Sequence, residues 1–334
     1  MKKVIAIFGA LAITAGMTFA QNNEAIVKQE VNMSEVSVNQ AGADNTADVH
    51  QKHGQYHETM IDQLGNVNDA TVYQDNTNTY TNIQQNGDAN TADVFQRSRL
   101  FVGPNNVAAS IELEQTGNQN NANIHQDAEA GAGGSKTNIA EVNQLGDDND
   151  VNIDQNRDLG PDYNEAKVRQ QGDDNYAEIN QDGAGNRASQ WVAGDGNSVV
   201  QDQLGNNNHQ RVEITGSNND YAVDQMGDGN RTYVNSRGTG PGGNTMHAYD
   251  SEFDVIQYGD NNLITGSMGG SNNSLEISQT GDDNMVSGGM GYWDAAGFTI
   301  QGNNTNATIM QQSDGNSAVL TVFGNNNTST ITQN

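Results

Sequence analysis

The side chains of this 334-residue sequence that could do chemistry are 42 aspartates and glutamates, 6 histidines and a large stock of asparagine and glutamine. Cysteine is absent, which excludes disulfides, thiolate nucleophiles and thiolate metal sites. Two carboxylates act as general acid and base when they converge on a cleft. Here they recur at intervals, as in Asp147-Asp148, Asp173-Asp174 and Asp282-Asp283, and a periodic series reads as exposed bends. Serines are scattered and lack the nucleophile elbow. His53 and His57 have the i, i+4 spacing that binds a metal on a helix, but their segment reads as bend and strand, so the spacing loses that meaning. His50 and His125 share an outward place in a repeat and are expected at solvent. The GDDN and GDGN bends could attract calcium loosely, yet they differ from the nine-residue calcium-binding repeat. Trp191 falls outward and Trp293 near a bend, each placed singly. No catalytic, cofactor-binding or metal residue is expected.

What remains is the hydrogen-bonding chemistry of amides, and these are periodic. The pattern Q-x-G-x-x-N-x-A-x-I/V-x-Q recurs along the chain. It carries Gln40, Asn45 and Gln51, then Gln63, Asn68 and Gln74, then Gln85, Asn90 and Gln96. Further copies hold Gln115, Asn120 and Gln126, then Gln144, Asn149 and Gln155, then Gln170, Asn175 and Gln181. Gln225 with Asn230, Gln257 with Asn262 and Gln279 with Asn284 repeat the first half of it. The glycines keep the same phase. Gly42, Gly65, Gly87, Gly117 and Gly146 each follow a Gln by two, and Gly172, Gly183, Gly194, Gly205, Gly216 and Gly227 are each 11 apart. Gly259, Gly270 and Gly281 repeat that spacing, and Gly291, Gly302 and Gly324 agree with it, with Ser313 substituting.

These residues need an element that presents them alternately. From Asn45 the inward set is Asn45, Ala47, Val49 and Gln51, and the outward set is Thr46, Asp48 and His50, a period-2 strand. The G-x-x-N segment supplies the turn. Each 11-residue half-unit is then one strand and one bend, and two half-units, 22 residues, close one coil of an all-β solenoid. A buried amide without a partner costs about 2 kcal/mol or more. Identical layers remove that cost, because each Gln or Asn bonds its copy above and below. The array is expected to run as one domain over 29–334. Loop insertions are expected near 97–105, 127–134, 156–160 and 236–245, where the phase breaks and Gly, Pro or charge collects.

Composition bounds the rest. Lys2 and Lys3, the apolar run from Val4 to Met17 and Thr18-Phe19-Ala20 predict a signal peptide at 1–20, followed by a short segment at 21–28. The apolar run is too short to span a bilayer comfortably, so the mature chain is expected to have no membrane span. The formal net charge is −28, and nucleic acid is not an expected partner, since phosphate binding needs a basic footprint.

The spacing Q-x4-N-x5-Q, with Gly two after the first Gln and Ala two after the Asn, resembles the curlin repeat of curli subunits. Some units add Ser six before the first Gln, as Ser34 before Gln40. The resemblance covers nearly the whole mature chain. It implies a structural subunit of extracellular amyloid fibres of the biofilm matrix at the bacterial cell surface, supporting adhesion and aggregation. It also implies polymerisation with itself, a nucleator subunit as partner and export through an outer-membrane secretion channel. The chain is longer than the better-known members and has insertions they lack. Two alternatives are a curli-like nucleator and a monomeric β-solenoid adhesin. An ice-binding face would need a regular Thr array, and a polysaccharide-processing β-helix would need clustered acids in a cleft; neither pattern is present.

Overall fold

A computed structural model describes residues 22–76, 78–98, 109–128, 138–157, 163–236, 247–286 and 297–334. The leader expected at 1–20, most of each of the four expected insertions, and Trp293 lie outside the described residues. The described chain is all-β, a solenoid of stacked parallel strands with no helix. It falls into two compact units, Met1–Tyr163 and Asn164–Asn334.

Unit 1 holds β1 (Glu24–Asn32), β2 (Glu35–Ala41), β3 (Thr46–Gln55), β4 (Glu58–Leu64), β5 (Asp69–Asn76), β6 (Thr79–Asn86), β7 (Thr91–Ser98), β8 (Ala109–Thr116), β9 (Asn121–Ala128), β10 (Asn138–Leu145) and β11 (Asp150–Arg157). Odd strands form one parallel sheet, β1-β3-β5-β7-β9-β11, and even strands the other, β2-β4-β6-β8-β10. Consecutive strands therefore alternate between sheets, and each pair completes one coil. Alternation decides which side chains meet inside. Ala47, Val49, Ala70 and Val72 are fully buried, while Asp48 between the first two is exposed. Register stacks like on like: Ala47 pairs with Ala70, Val49 with Val72 and Gln51 with Gln74. The array starts before the expected Gln29, because β1 already pairs Ala25 with Ala47 and Val27 with Val49.

Unit 2 holds β12 (Glu165–Gln171), β13 (Tyr176–Asp182), β14 (Arg187–Ala193), β15 (Ser198–Leu204), β16 (His209–Ser217), β17 (Asp220–Met226), β18 (Arg231–Asn235), β19 (Ala248–Tyr249), β20 (Glu252–Tyr258), β21 (Leu263–Ser271) and β22 (Ser274–Thr280). It continues with β23 (Met285–Val286), β24 (Phe298–Gln301), β25 (Asn306–Gln312), β26 (Ser317–Ala318), β27 (Leu320–Phe323) and β28 (Thr328–Gln333). One sheet runs β13-β15-β17-β20-β22-β25-β28, and the other is built on β12-β14-β16-β18-β21-β23-β26. Its core is more aromatic than that of unit 1, with Tyr221, Phe253 and Phe298 buried in a row at centroid spacings of 5.4 and 5.5 Å.

Extra chain between strands leaves the rungs in register. Gln85 meets Gln115 across 30 positions and Gln225 meets Gln257 across 32, at the same contact that Gln63 and Gln85 make across 22. Gln279 and Gln311 are also 32 apart, so another insertion lies between them, around 287–296. The glycine phase through Gly281, Gly291 and Gly302 hides it, because ten extra residues nearly equal one half-unit.

Candidate functional site

The chemistry of this molecule is carried by columns of amides running through the interior. In the odd sheet of unit 1 the Nε2 of each glutamine donates to the Oε1 of the next: Gln29 to Gln51, Gln51 to Gln74, Gln74 to Gln96, Gln96 to Gln126 and Gln126 to Gln155, at 2.9, 2.9, 3.0, 3.2 and 2.7 Å. The even sheet has the column Gln40, Gln63, Gln85, Gln115 and Gln144, at 2.8, 2.8, 2.9 and 2.9 Å. Unit 2 carries Gln181, Gln203, Gln225, Gln257, Gln279, Gln311 and Gln333, at 2.7 to 3.1 Å. From Gln51 to Gln126 and from Gln63 to Gln144 these side chains are at most 1% exposed.

A glutamine amide has two protons, and a column uses one of them. The second crosses the coil. Gln63 donates to the Thr46 carbonyl at 2.9 Å, Gln85 to Asp69 at 3.0 Å and Gln96 to Tyr80 at 3.0 Å. Each Gln thereby ties its own sheet along the stack and the opposite sheet across it. Repeat spacing does not reveal this second role, since the acceptor is a backbone carbonyl common to every residue type.

Asparagines stack at the bend. Asn45 Oδ1 accepts from the backbone N–H and the amide of Asn68, which repeats this with Asn90, and Asn90 with Asn120, and Asn120 with Asn149, all at 3.0 to 3.1 Å. The amide then donates to the turn glycine of the next layer: Asn45 to the Gly65 carbonyl at 2.8 Å, Asn68 to Gly87 at 2.8 Å and Asn90 to Gly117 at 2.9 Å. The turn glycine has positive φ, +123° at Gly65, which L side chains rarely adopt. A Cβ at Gly65 would also lie 2.0 Å from the Gly87 oxygen. Among the described residues, Gly302 is the one glycine of the pattern without a positive φ. It needs the space, with its Cβ site 1.7 Å from the Gly324 oxygen.

In unit 2, Asn175 accepts from Asn197, and Asn230, Asn262 and Asn284 continue a column that includes Asn164, Asn186, Asn208 and Asn316. Of these, Asn186, Asn197 and Asn208 lie three after a phased glycine, so the G-x-x-N spacing alone would have found them. Gln170 is buried, and on the following strands its register partner is Val192, followed by Ile214. The pattern also misses a second left-handed residue, two after the turn glycine, as at Asp44, Asp148, Asn207 and Asn261 with φ of 55 to 58°. Asx and Gly residues predominate there because they tolerate that conformation.

The bend carboxylates are not merely exposed charges. Asp88 Oδ1 accepts the backbone N–H of Asn66 at 2.7 Å, and Asp228, Asp260 and Asp282 accept from Asn206, Asp228 and Asp260 at 2.7, 2.8 and 2.8 Å. They form an outer ladder parallel to the amide columns.

The two histidines expected at solvent are partly exposed and also stacked. His50, Tyr73, Phe95 and His125 form a ring column with centroids 5.3, 5.1 and 4.8 Å apart. His57 is buried, with Nδ1 2.8 Å from Thr79 Oγ1 and Nε2 2.9 Å from the His53 carbonyl. No group of three His, Asp or Glu suited to a metal occurs among the described residues. A hydrogen bond to Asp154 raises the His125 pKa above the ordinary imidazole value, against a smaller effect of burial. Burial lowers that of His209, helped by Arg187, Arg231 and Arg211. The raised group stabilises the fold below the ordinary imidazole pKa and loses this as pH rises through its own. The lowered group stabilises above the ordinary value, and the contribution fades as pH falls through its own. An NMR titration should place His125 above and His209 below a free histidine; the reverse order would contradict the geometry.

No curated protein matches the chain. The family of the curlin-associated repeat matches at residues 42–75, 162–189, 250–287 and 302–334. The first match begins at the turn glycine Gly42 and the last at Gly302, and all four contain members of the amide columns. With strand, turn glycine and stacked amide recurring in them, these four segments of the chain are curlin-associated repeats.

Proposed function

We propose that this protein is a structural subunit of extracellular curli-like amyloid fibres of a biofilm matrix, serving adhesion and aggregation and carrying no catalytic site. The observation that supports this reading is the amide column itself. Each layer is satisfied by a copy of itself, so a layer exposed at an edge offers donors and acceptors that another copy meets best. Among the described residues β1 and β28 each pair on one side only, and Gln333 stands half-buried where Gln311 is fully buried. Export, a nucleator partner and an outer-membrane channel belong to the same reading. Purified chain should assemble after a lag that preformed seeds abolish, with thioflavin binding and a spacing of ~4.8 Å along the fibre. A chain that stays monomeric for days at high concentration removes the proposal and leaves the adhesin.

Acid should hasten assembly. Asp69, Asp224 and Asp254 have raised pKa values, by burial first and then by neighbouring carboxylates. A raised carboxyl binds its proton more tightly when folded, so stability grows as pH falls through that pKa. Lag times should be shorter at about pH 4 than at pH 7. Equal lags would show that carboxylate repulsion does not limit assembly.

A further inference from the structure

The two outer faces of unit 2 carry opposite charge. β12, β14, β16 and β18 hold Lys167, Arg169, Arg187, Arg211 and Arg231, five of the chain's 14 lysines and arginines, against only two carboxylates, Glu165 and Glu213. Glu165 pairs with Lys167 at 3.2 Å and with Arg187 at 3.5 Å, and Glu213 with Arg211. Arg169 lies over the Trp191 ring at 5.0 Å. An excess of three positive charges therefore sits on this sheet of a strongly acidic chain. The opposite sheet, β13, β15, β17, β20 and β22, has no Lys, Arg or His.

On that second sheet like charges stand directly opposite one another. Asp202 pairs in register with Asp224, Asp220 with Glu252 and Asp254 with Glu276. Like charges opposed across strands are destabilising, and the same strands hold no cation to offset them. The raised pKa values of Asp224 and Asp254 report that repulsion alongside burial. On the other sheet the pKa of His209 is lowered by burial first and then by Arg187, Arg231 and Arg211.

We infer that the basic face of unit 2 docks on the all-acidic face of unit 2 in a second copy, joining coils side by side. Both surfaces are sheet faces of similar strand length, and sheets pack face to face at ~10 Å. Each copy presents both faces, so the contact is heterologous and does not close. Four strands of seven residues span on the order of 400 Å², small for a stable pair of molecules. Docking is therefore weak between single copies and strong where many are displayed together. The inference rests on the coil of unit 2 and is independent of end-to-end growth.

The test uses the full chain displayed densely on beads with a soluble copy offered to it, a format that needs no fibre. Capture at about 50 mM salt should fall at least about tenfold at about 500 mM, as screening shortens. One variant, Lys167→Glu with Arg169→Glu and Arg231→Glu, has two acidic faces. Another, Asp202→Lys with Asp220→Lys, Glu252→Lys, Asp254→Lys and Glu276→Lys, has two basic ones. Neither should capture itself, and each should capture the other. Circular dichroism checks that both keep their strands; should either lose them, Arg169→Gln with Arg231→Gln gives a milder test, an expected loss of about threefold. Capture indifferent to salt and to the reversals would overturn the inference. So would loss in the first variant without loss in the second, which would assign the basic face to a polyanion.

Discussion

Replacing Gly65 with alanine is expected to destabilise unit 1 by about 3–5 kcal/mol, combining left-handed strain with a lost buried hydrogen bond. The new Cβ would sit 2.0 Å from the Gly87 carbonyl oxygen and 2.7 Å from its carbon. Those are backbone atoms of the next layer, so no side chain can swing aside. Relief requires the layers to part, and the same oxygen accepts from Asn68 at 2.8 Å. Gly315 is the control. It has φ of +71° with nothing within 4 Å of its Cβ site, so Gly315→Ala should cost only about 1 kcal/mol of backbone strain. Denaturant unfolding of the two variants measures both. Equal losses would mean that stacking of the glycine turns contributes nothing beyond their φ.

The second expectation concerns one residue type two positions apart. Gln203 accepts from Gln181 at 2.8 Å and donates to Gln225 and to the Arg187 carbonyl, each at 3.1 Å. Gln203→Met, nearly the same shape, should cost about 2–4 kcal/mol, because buried partners lose their bonds. Gln201 is fully buried between Ile179 and Val223 in register, with both amide atoms unpartnered. Gln201→Met removes that desolvation penalty and should stabilise by about 1–3 kcal/mol. The amide is favourable only where its column exists. Two losses of the same sign would show that Gln201 has a partner in solution, such as a bound water.

How much of this was legible beforehand follows from which contacts the repeat encodes. Val49 over Val72, Gln51 over Gln74 and Gly65 over Gly87 are contacts between copies, and copies are visible as periodicity. The all-β coil, its inward and outward residues and the turn glycines could therefore be read from spacing alone. Contacts across the coil are different. The second proton of Gln63 goes to the Thr46 carbonyl, set by how the two sheets are offset and not by any side chain. The ten extra residues before β24 imitate a half-unit, so register alone exposes them.

The amino-acid sequence by itself determined the layer: what points inward, where the chain turns and which amides recur, because alternation and an 11-residue period are written residue by residue. The tertiary structure decided which amides have partners. Gln203 and Gln201 read alike as buried glutamines, yet only the stack places Gln181 and Gln225 beside the first and Ile179 and Val223 beside the second. It also decided that one sheet of unit 2 is basic and the other acidic, since charge along the chain becomes a face only when alternate strands are sorted into separate sheets.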